Sequence, residues 1–214
     1  MNDNFRHQGL RLKLVELLRS KGISDEKVLQ AISKIPRHLF LDKAFLDFAY
    51  QDKAFPIAAG QTISHPYTVA YQSELLEVKA REKVLEVGTG SGYQTAVLLE
   101  LKAQVFTIER QKELYQKTKT FLPNLGYQCM FFYGDGYKGL TNFAPFDKII
   151  VTAGAPFIPD DLVKQLKVGG KMVIPVGDAD KQQMISISKT SEDAVEQKVL
   201  GDFSFVPLLP KKSQ

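Results

Sequence analysis

At 214 residues and 24.0 kDa, the chain suits one domain at roughly 100–200 residues per domain. Its 44% apolar and 24% charged residues are an ordinary globular balance and exclude collagen-like, low-complexity and disulfide-scaffold classes. Lys+Arg exceed Asp+Glu by only 28 − 24 = 4. The densest basic cluster, Lys211–Lys212, is too small to track a nucleic-acid backbone. No apolar run approaches the roughly 18 residues of a membrane helix, and Met1 to Gly9 lacks the hydrophobic stretch of a leader peptide. The single Cys129 permits neither an internal disulfide nor a cysteine-based zinc site, so a reducing, cytoplasmic setting is expected. His7, His38 and His65 lack metal-ligand spacing, and no metal is expected.

Leu10, Leu14, Leu17 and Leu18 recur at helical spacing, and Gly22 ends that helix. Ser24 then reads as an N-cap, with Asp25 and Glu26 in the first turn, for a second helix that stops before Pro36. Tyr50 to Ile63 reads as loop with short extended pieces, and Pro66 opens a helix through Val78. From Lys83 short strands alternate with helices. The predicted strands are Val84–Val87, Gln104–Glu109, Gln128–Tyr133, Lys148–Thr152 and Lys171–Pro175; the helices are Gly92–Leu101, Lys112–Phe121 and Pro159–Leu166. Such alternation means βαβ units and a parallel sheet, while Met184–Ser188 and Gln197–Pro207 are expected to add antiparallel strands at one edge. The fold class is therefore α/β: a doubly wound, mostly parallel, Rossmann-like sheet with helices on both faces, a helical N-terminal extension and an antiparallel C-terminal edge. Residues 1–214 form one domain in this reading, with 1–80 the extension and catalytic loop and 81–214 the cofactor-binding core.

The strongest local signal is Val84-Leu85-Glu86-Val87-Gly88-Thr89-Gly90-Ser91-Gly92-Tyr93, a buried strand running through three alternate glycines into a helix. Glycines let the backbone turn sharply and let a ligand approach it, beyond the carboxyl ends of the strands. Glu109 ends the next strand, where an acid can accept from a ribose hydroxyl pair. A dinucleotide fingerprint needs G-x-G-x-x-G/A; here the third glycine comes one position early and Tyr93 stands where a small residue is required. Glu86, beside the loop, is expected to oppose a pyrophosphate and to suit a ligand carrying ammonium and sulfonium groups. Both points favour S-adenosylmethionine over NAD. Asp135, in Gly134-Asp135-Gly136, is placed either to accept from the adenine amino group or to form an ordinary Asp-Gly turn.

No Asn-Pro-Pro or Asp-Pro-Pro element is present. Instead, the strand Asp147–Val151 ends in the uncharged rim Thr152-Ala153-Gly154-Ala155-Pro156. Cys129 reads as a core residue within a buried strand, not a nucleophile.

Several segments together resemble the protein-L-isoaspartate O-methyltransferase family. They are Pro36-Arg37-His38-Leu39-Phe40, Gly60-Gln61-Thr62-Ile63-Ser64-His65-Pro66-Tyr67-Thr68-Val69, Phe146 to Pro156, Gln165 to Gly177, and Phe205-Val206-Pro207-Leu208. The likeness covers nearly the whole chain in order. It implies transfer of a methyl group from S-adenosylmethionine to the free carboxylate of L-isoaspartyl residues in damaged proteins and peptides, yielding S-adenosylhomocysteine and an ester that recyclises toward normal aspartate.

By the same resemblance Ser64 is the catalytic serine, although spacing alone also allows it to cap the helix opening at Pro66. Ile63, Ser64, His65 and Val206 lie against the substrate. Thr62, Glu86, Gly88, Thr89, Gly90, Ser91, Gly92, Glu109, Arg110, Asp135 and Gly136 form the cofactor set. The partners implied are isoaspartyl proteins and peptides, without nucleic acid or membrane, acting on a monomer. Two positions depart from the family pattern: His65 replaces a Gln or small residue, and Leu209-Pro210 replaces a polar continuation after Leu208. The alternatives are a methyltransferase of the same fold acting on another carboxylate, a small molecule or RNA, and a non-catalytic binder of S-adenosylmethionine.

Overall fold

The computed structural model describes residues 3–178 and 180–213. Helices α1 (Phe5–Ser20) and α2 (Glu26–Lys34) are followed by two 3-10 turns, Arg37–Phe40 and Lys43–Phe48. A short pair, β1 (Phe55–Pro56) and β2 (Thr62–Ile63), leads into α3 (Pro66–Leu76). The core then runs β3 (Lys83–Val87), α4 (Tyr93–Glu100), β4 (Gln104–Glu109), α5 (Lys112–Asn124), β5 (Met130–Tyr133), β6 (Phe146–Val151), α6 (Asp160–Gln165), β7 (Leu166–Gly177), β8 (Gln182–Lys189) and β9 (Val195–Phe203). The sheet order is β5-β4-β3-β6-β7-β8-β9. β3 to β7 pair in parallel, and β8 and β9 add antiparallel. This is the α/β architecture the sequence leads one to expect.

Strand β3 is apolar on both sides because both faces are covered. Val84 packs with Leu76 of α3, Leu98 of α4 and Ile150 of β6. Leu85 and Val87 face the opposite layer with Ile149, Met172 and Leu162 of α6. Register aligns Val87 with Ile108 and Val151, and Glu109 with Tyr133. The strands therefore end along one line, and the loops that leave them share one rim. Among the described residues no helix is long and apolar enough to cross a membrane.

The N-terminal helices pack onto α4 through Leu14, Leu18, Ile32 and Ala96. Arg37, in the Pro36–Phe40 segment, is fully buried. It donates to Ala49 O and Lys53 O and lies over the Tyr93 ring at 4.9 Å. Burial lowers its pKa to about 10, so it remains charged at neutral pH and braces the chain that leads to β1. Asp3, His7 and His38 meet with ligand atoms within 4.8 Å, a juxtaposition that linear spacing conceals. Both Asp3 oxygens there accept from Arg11.

Three local readings are corrected. Asp25, not Ser24, caps α2, accepting from Lys27 N and Val28 N; Ser24 instead donates to the Glu74 carboxylate at 2.9 Å. Cys129 precedes β5 and is half-buried, with a thiol pushed well above its usual range by burial. β7 begins at Leu166, immediately after α6, five residues before the predicted strand.

Gly92, at φ +86°, closes the loop against α5: a Cβ there would sit 2.8 Å from Thr118 Cγ2 and 2.9 Å from Leu122 Cδ1. Gly92→Ala is expected to cost about 1–3 kcal/mol through left-handed backbone strain and overpacking. Guanidinium unfolding of the two proteins, read as the difference in midpoint at constant slope, measures it.

Candidate active site

The turn from β3 into α4 is held from three sides. Gly88 (φ +98°) donates from N to Ile108 O at 2.9 Å. Thr152, at the end of β6, donates through Oγ1 to Gly88 O at 2.7 Å, and a Cβ on Gly88 would lie 2.5 Å from that oxygen. Thr118 Oγ1 donates to Gly90 O at 2.8 Å. Glu109 completes the clamp, its Oε2 accepting from Gly90 N at 2.9 Å and its Oε1 from Gln111 N at 2.7 Å. In front of this turn lies a cavity of about 530 Å³, lined in part by Gly88, Gly90, Glu109, Arg110, Gly136 and Val206.

The placement of Glu86 overturns the charge argument built on it. The side chain is fully buried behind the turn, accepts from Thr95 Oγ1 at 2.5 Å, and does not line the cavity. Desolvation raises its pKa to about 8, so at neutral pH it is mostly the uncharged acid. It braces the loop from below and opposes no anion. The acid that faces the cavity is Glu109, beside Arg110. By accepting from Gly90 N, Glu109 occupies the amide a pyrophosphate would need and puts a carboxylate beside it. Thr89 is also turned inward, its Oγ1 2.6 Å from Thr107 Oγ1, and Gly92 packs on α5. The loop residues that face open space are Gly88, Gly90 and Ser91, with Thr89 bordering only the recess at Ser64.

At the far end of the cavity Asp135 forms both an Asp-Gly turn and a tether. Its Oδ1 accepts from Tyr137 N at 3.0 Å and its Oδ2 from Lys211 N at 2.8 Å. Arg110 Nε donates to Lys211 O at 3.0 Å, and Ser213 N to Arg110 O at 2.9 Å. Residues 209–213 thus fold back over β4 and β5, and Leu209 becomes part of the wall. Just before them, Gly154 N donates to Val206 O at 2.8 Å and Leu208 N to Gly154 O at 2.7 Å. The small-residue rim after β6 is therefore a docking edge for residues 206–208.

Ser64 occupies the other end. α3 has no side-chain cap, so the capping role spacing allowed for Ser64 is not used. Ser64 lines a recess of about 320 Å³ that shares Thr62, Gly88, Gly90 and Thr152 with the main cavity. Among the described residues no charged side chain lines the recess; Tyr93, Gln94 and Thr152 are its larger polar walls. Ile63, though almost fully buried, lines the same recess as Ser64, and His65 points to a separate cleft, its pKa lowered chiefly by desolvation, which keeps it neutral at pH 7. Thr152, Gln61 and Leu209 line the cavity although the sequence reading assigns none of them to the cofactor set. Thr152 gives no local cue, because its role exists only through the β3–β6 pairing.

A mostly parallel sheet with this glycine turn, an acid at the next strand end and an uncharged recess beside it defines the class I methyltransferase fold. A family model described as protein-L-isoaspartate(D-aspartate) O-methyltransferase matches residues 10–213. The protein-L-isoaspartate O-methyltransferase of Christiangramia forsetii is 63% identical over 214 residues, the whole of both chains. That of Cytophaga hutchinsonii is 58% identical over 211 residues, 99% of this chain and 96% of its own. Among solved structures, a protein-L-isoaspartate O-methyltransferase superposes with a TM-score of 0.83 at 29% identity, over 92% of this chain and 65% of that one. A Plasmodium falciparum structure described as the same enzyme type, in complex with S-adenosyl-L-homocysteine, gives 0.79 at 27% identity, over 93% and 98%. The chain belongs to the protein-L-isoaspartate(D-aspartate) O-methyltransferase family. Its reaction is methyl transfer from S-adenosylmethionine that initiates repair of isoaspartyl residues.

Glu86 has a signature in solution. Folded, it stays protonated to about 8; unfolded, it ionises near 4.5. Across that window the folded state holds one more proton, so this group's contribution to stability falls as pH rises. Glu86→Gln is expected to flatten that fall: its melting temperature relative to the parent should be higher at pH 8 than at pH 4.5, as measured by thermal unfolding at a series of pH values.

Proposed function

We propose that Ser64 orients the isoaspartyl carboxylate for methylation, that the Gly88–Gly92 turn and Glu109 hold the cofactor, and that Ile63, His65 and Val206 flank the substrate. The observation that carries this reading is the uncharged recess at Ser64, continuous with the glycine-loop cavity.

The chemistry requires little of the protein beyond placement. A side-chain carboxylate with a pKa near 3.9 is already ionised at neutral pH, so no general base is needed. S-adenosylmethionine, when bound, supplies a methyl group on a cationic sulfonium. Combining anion and cation into neutral products disperses charge, and solvent would stabilise the separated ions more than the encounter. Tyr93, Gln94, Thr152 and Ser64 surround the acceptor with neutral dipoles, and a hydroxyl is a rotatable donor that aligns a carboxylate without holding it as a cation would. In-line positioning of this kind is worth up to about 7–11 kcal/mol in ideal cases.

Gly88 and Gly90 let the backbone lie close to the cofactor. Glu109, having spent one lone pair per oxygen on backbone N–H groups, retains acceptor capacity toward a ribose hydroxyl pair. Asp135 and Gly136 border the adenine end, with Arg110 and Thr62 at the two rims. Glu86 and Gly92 act from behind the loop, shaping it rather than touching the cofactor, while Thr89 borders the Ser64 recess. Residues 1–80 supply the substrate side and 81–214 the cofactor side of one domain. We read the chain as a monomer acting in the cytoplasm, the lone thiol Cys129 suiting a reducing compartment.

Matched peptides test the reaction: one with L-isoaspartate, the other with normal aspartate, each offered with labelled S-adenosylmethionine. Base-labile methyl ester on the first alone is expected; tight cofactor binding without transfer to either would favour a non-catalytic binder. Ser64→Ala is expected to lower kcat while leaving S-adenosylmethionine affinity close to the parent's, and loss of that affinity would make Ser64 structural. Glu109→Ala is expected to weaken the cofactor by about 1–3 kcal/mol, read by titration calorimetry; an unchanged dissociation constant removes Glu109 from the ribose role.

A further inference from the structure

Beyond Ser64, on the side of His65, the surface opens into a cleft of about 1010 Å³ that shares no lining residue with the cofactor cavity or the Ser64 recess. Three half-buried rings stand in a row along it. Tyr67 and Tyr71, one turn apart on α3, have centroids 5.7 Å apart at 15°, and Tyr71 and Phe203 are 5.4 Å apart at 22°. The row is fixed at several points. Tyr71 Oη donates to Leu200 O at 3.1 Å. Asp52 Oδ1 accepts from Tyr67 N at 2.8 Å, and its other oxygen pairs with Lys21 Nζ at 2.6 Å. Lys21 Nζ in turn stands 5.4 Å from the Tyr67 ring centroid.

We propose that this cleft receives the substrate polypeptide beside the isoaspartyl residue and selects an aromatic side chain there; the inference rests on Ser64 being the acceptor site. A polypeptide whose isoaspartyl carboxylate reaches Ser64 has to leave that recess along the protein surface, and the very next residue, His65, already lines the cleft. An incoming ring extends the row or meets it edge-on, both favourable aromatic arrangements. Because the rings are already held, little rotamer freedom is lost on binding. Acidic neighbours are disfavoured. Asp52 and Asp202 both line the cleft, and the lysine near each is engaged, Lys21 with Asp52 and Lys181 with Asp202 at 2.7 Å. No free cation is left, among the described residues lining it, to receive a carboxylate.

The test uses isoaspartyl peptides of one length carrying Phe, Ala or Glu at each of two positions on either side of the isoaspartate. At one position Phe is expected to lower KM about three- to tenfold relative to Ala, with kcat within about twofold, and Glu to raise KM. Tyr71→Leu should bring the Phe and Ala peptides to equal KM, with S-adenosylhomocysteine affinity as the check on fold. Phe203→Leu, on the edge strand, carries the same test should Tyr71→Leu fail to fold. Equal KM for all three residues at every position, or a Phe preference that survives both variants, overturns the role of the cleft alone. Failure to methylate any isoaspartyl peptide overturns the Ser64 reading and this inference with it.

Discussion

The Glu109 carboxylate accepts backbone N–H bonds from Gly90 and Gln111 at once, and the cavity is arranged around that fixed point. One bond ties the end of β4 to the glycine turn after β3; the other sets the start of α5. Two strand ends and a helix are thereby held in one relation, with the carboxylate facing the cavity between them. Because the Gly90 amide is already taken, the turn is not the open nest of N–H groups that phosphate-binding loops present. The site accepts a ligand whose polar needs are hydroxyls and cations, and it does so through an interaction internal to the protein.

Charge is managed differently at the two ends of the groove. Glu109 and Arg110 line the larger cavity, whereas the Ser64 recess is walled by neutral groups. Arg37, a cation close to His65, is buried, and its guanidinium is engaged by Ala49 O, Lys53 O and the Tyr93 ring. A bare cation facing the acceptor would stabilise the ionised carboxylate more than the dispersed charge that follows, and so slow the step it helps to assemble. Keeping the charge of Arg37 behind the wall lets it fix the approach to β1 without that penalty.

Much of this was readable from the residues. The alternation of short apolar runs with helical stretches located every strand of the parallel sheet, and the glycine loop and Glu109, far apart in sequence, meet at one cavity. What escaped is what depends on partners distant in sequence. Ser24 and Asp25 both suit a helix N-cap, and the choice between them is made by Glu74, 50 residues away, which takes the serine hydroxyl. Glu86 was expected to face a ligand beside the turn, but the pairing of β3 with β4 and the packing of α4 bring Thr107 and Thr95 around it and exclude it from the ligand side. The 3-10 turns between Arg37 and Phe48 have no periodicity to read, since their shape follows from the carbonyls Arg37 collects. Asp135 could be placed at a strand end, yet only the fold reveals that residues 209–213 return to it.

That return has a consequence for when the protein becomes competent. Residues 206–213 are made after every other part of the cavity, and they supply its outer wall through Val206, Leu208 and the tether from Lys211 to Asp135. During translation the glycine turn and Glu109 emerge and pair well before that wall exists. Ligand binding stabilises a fold only once the binding form is present, so the nascent chain has to reach its sheet without help from the methyl donor. The donor's grip is added to a core that already stands.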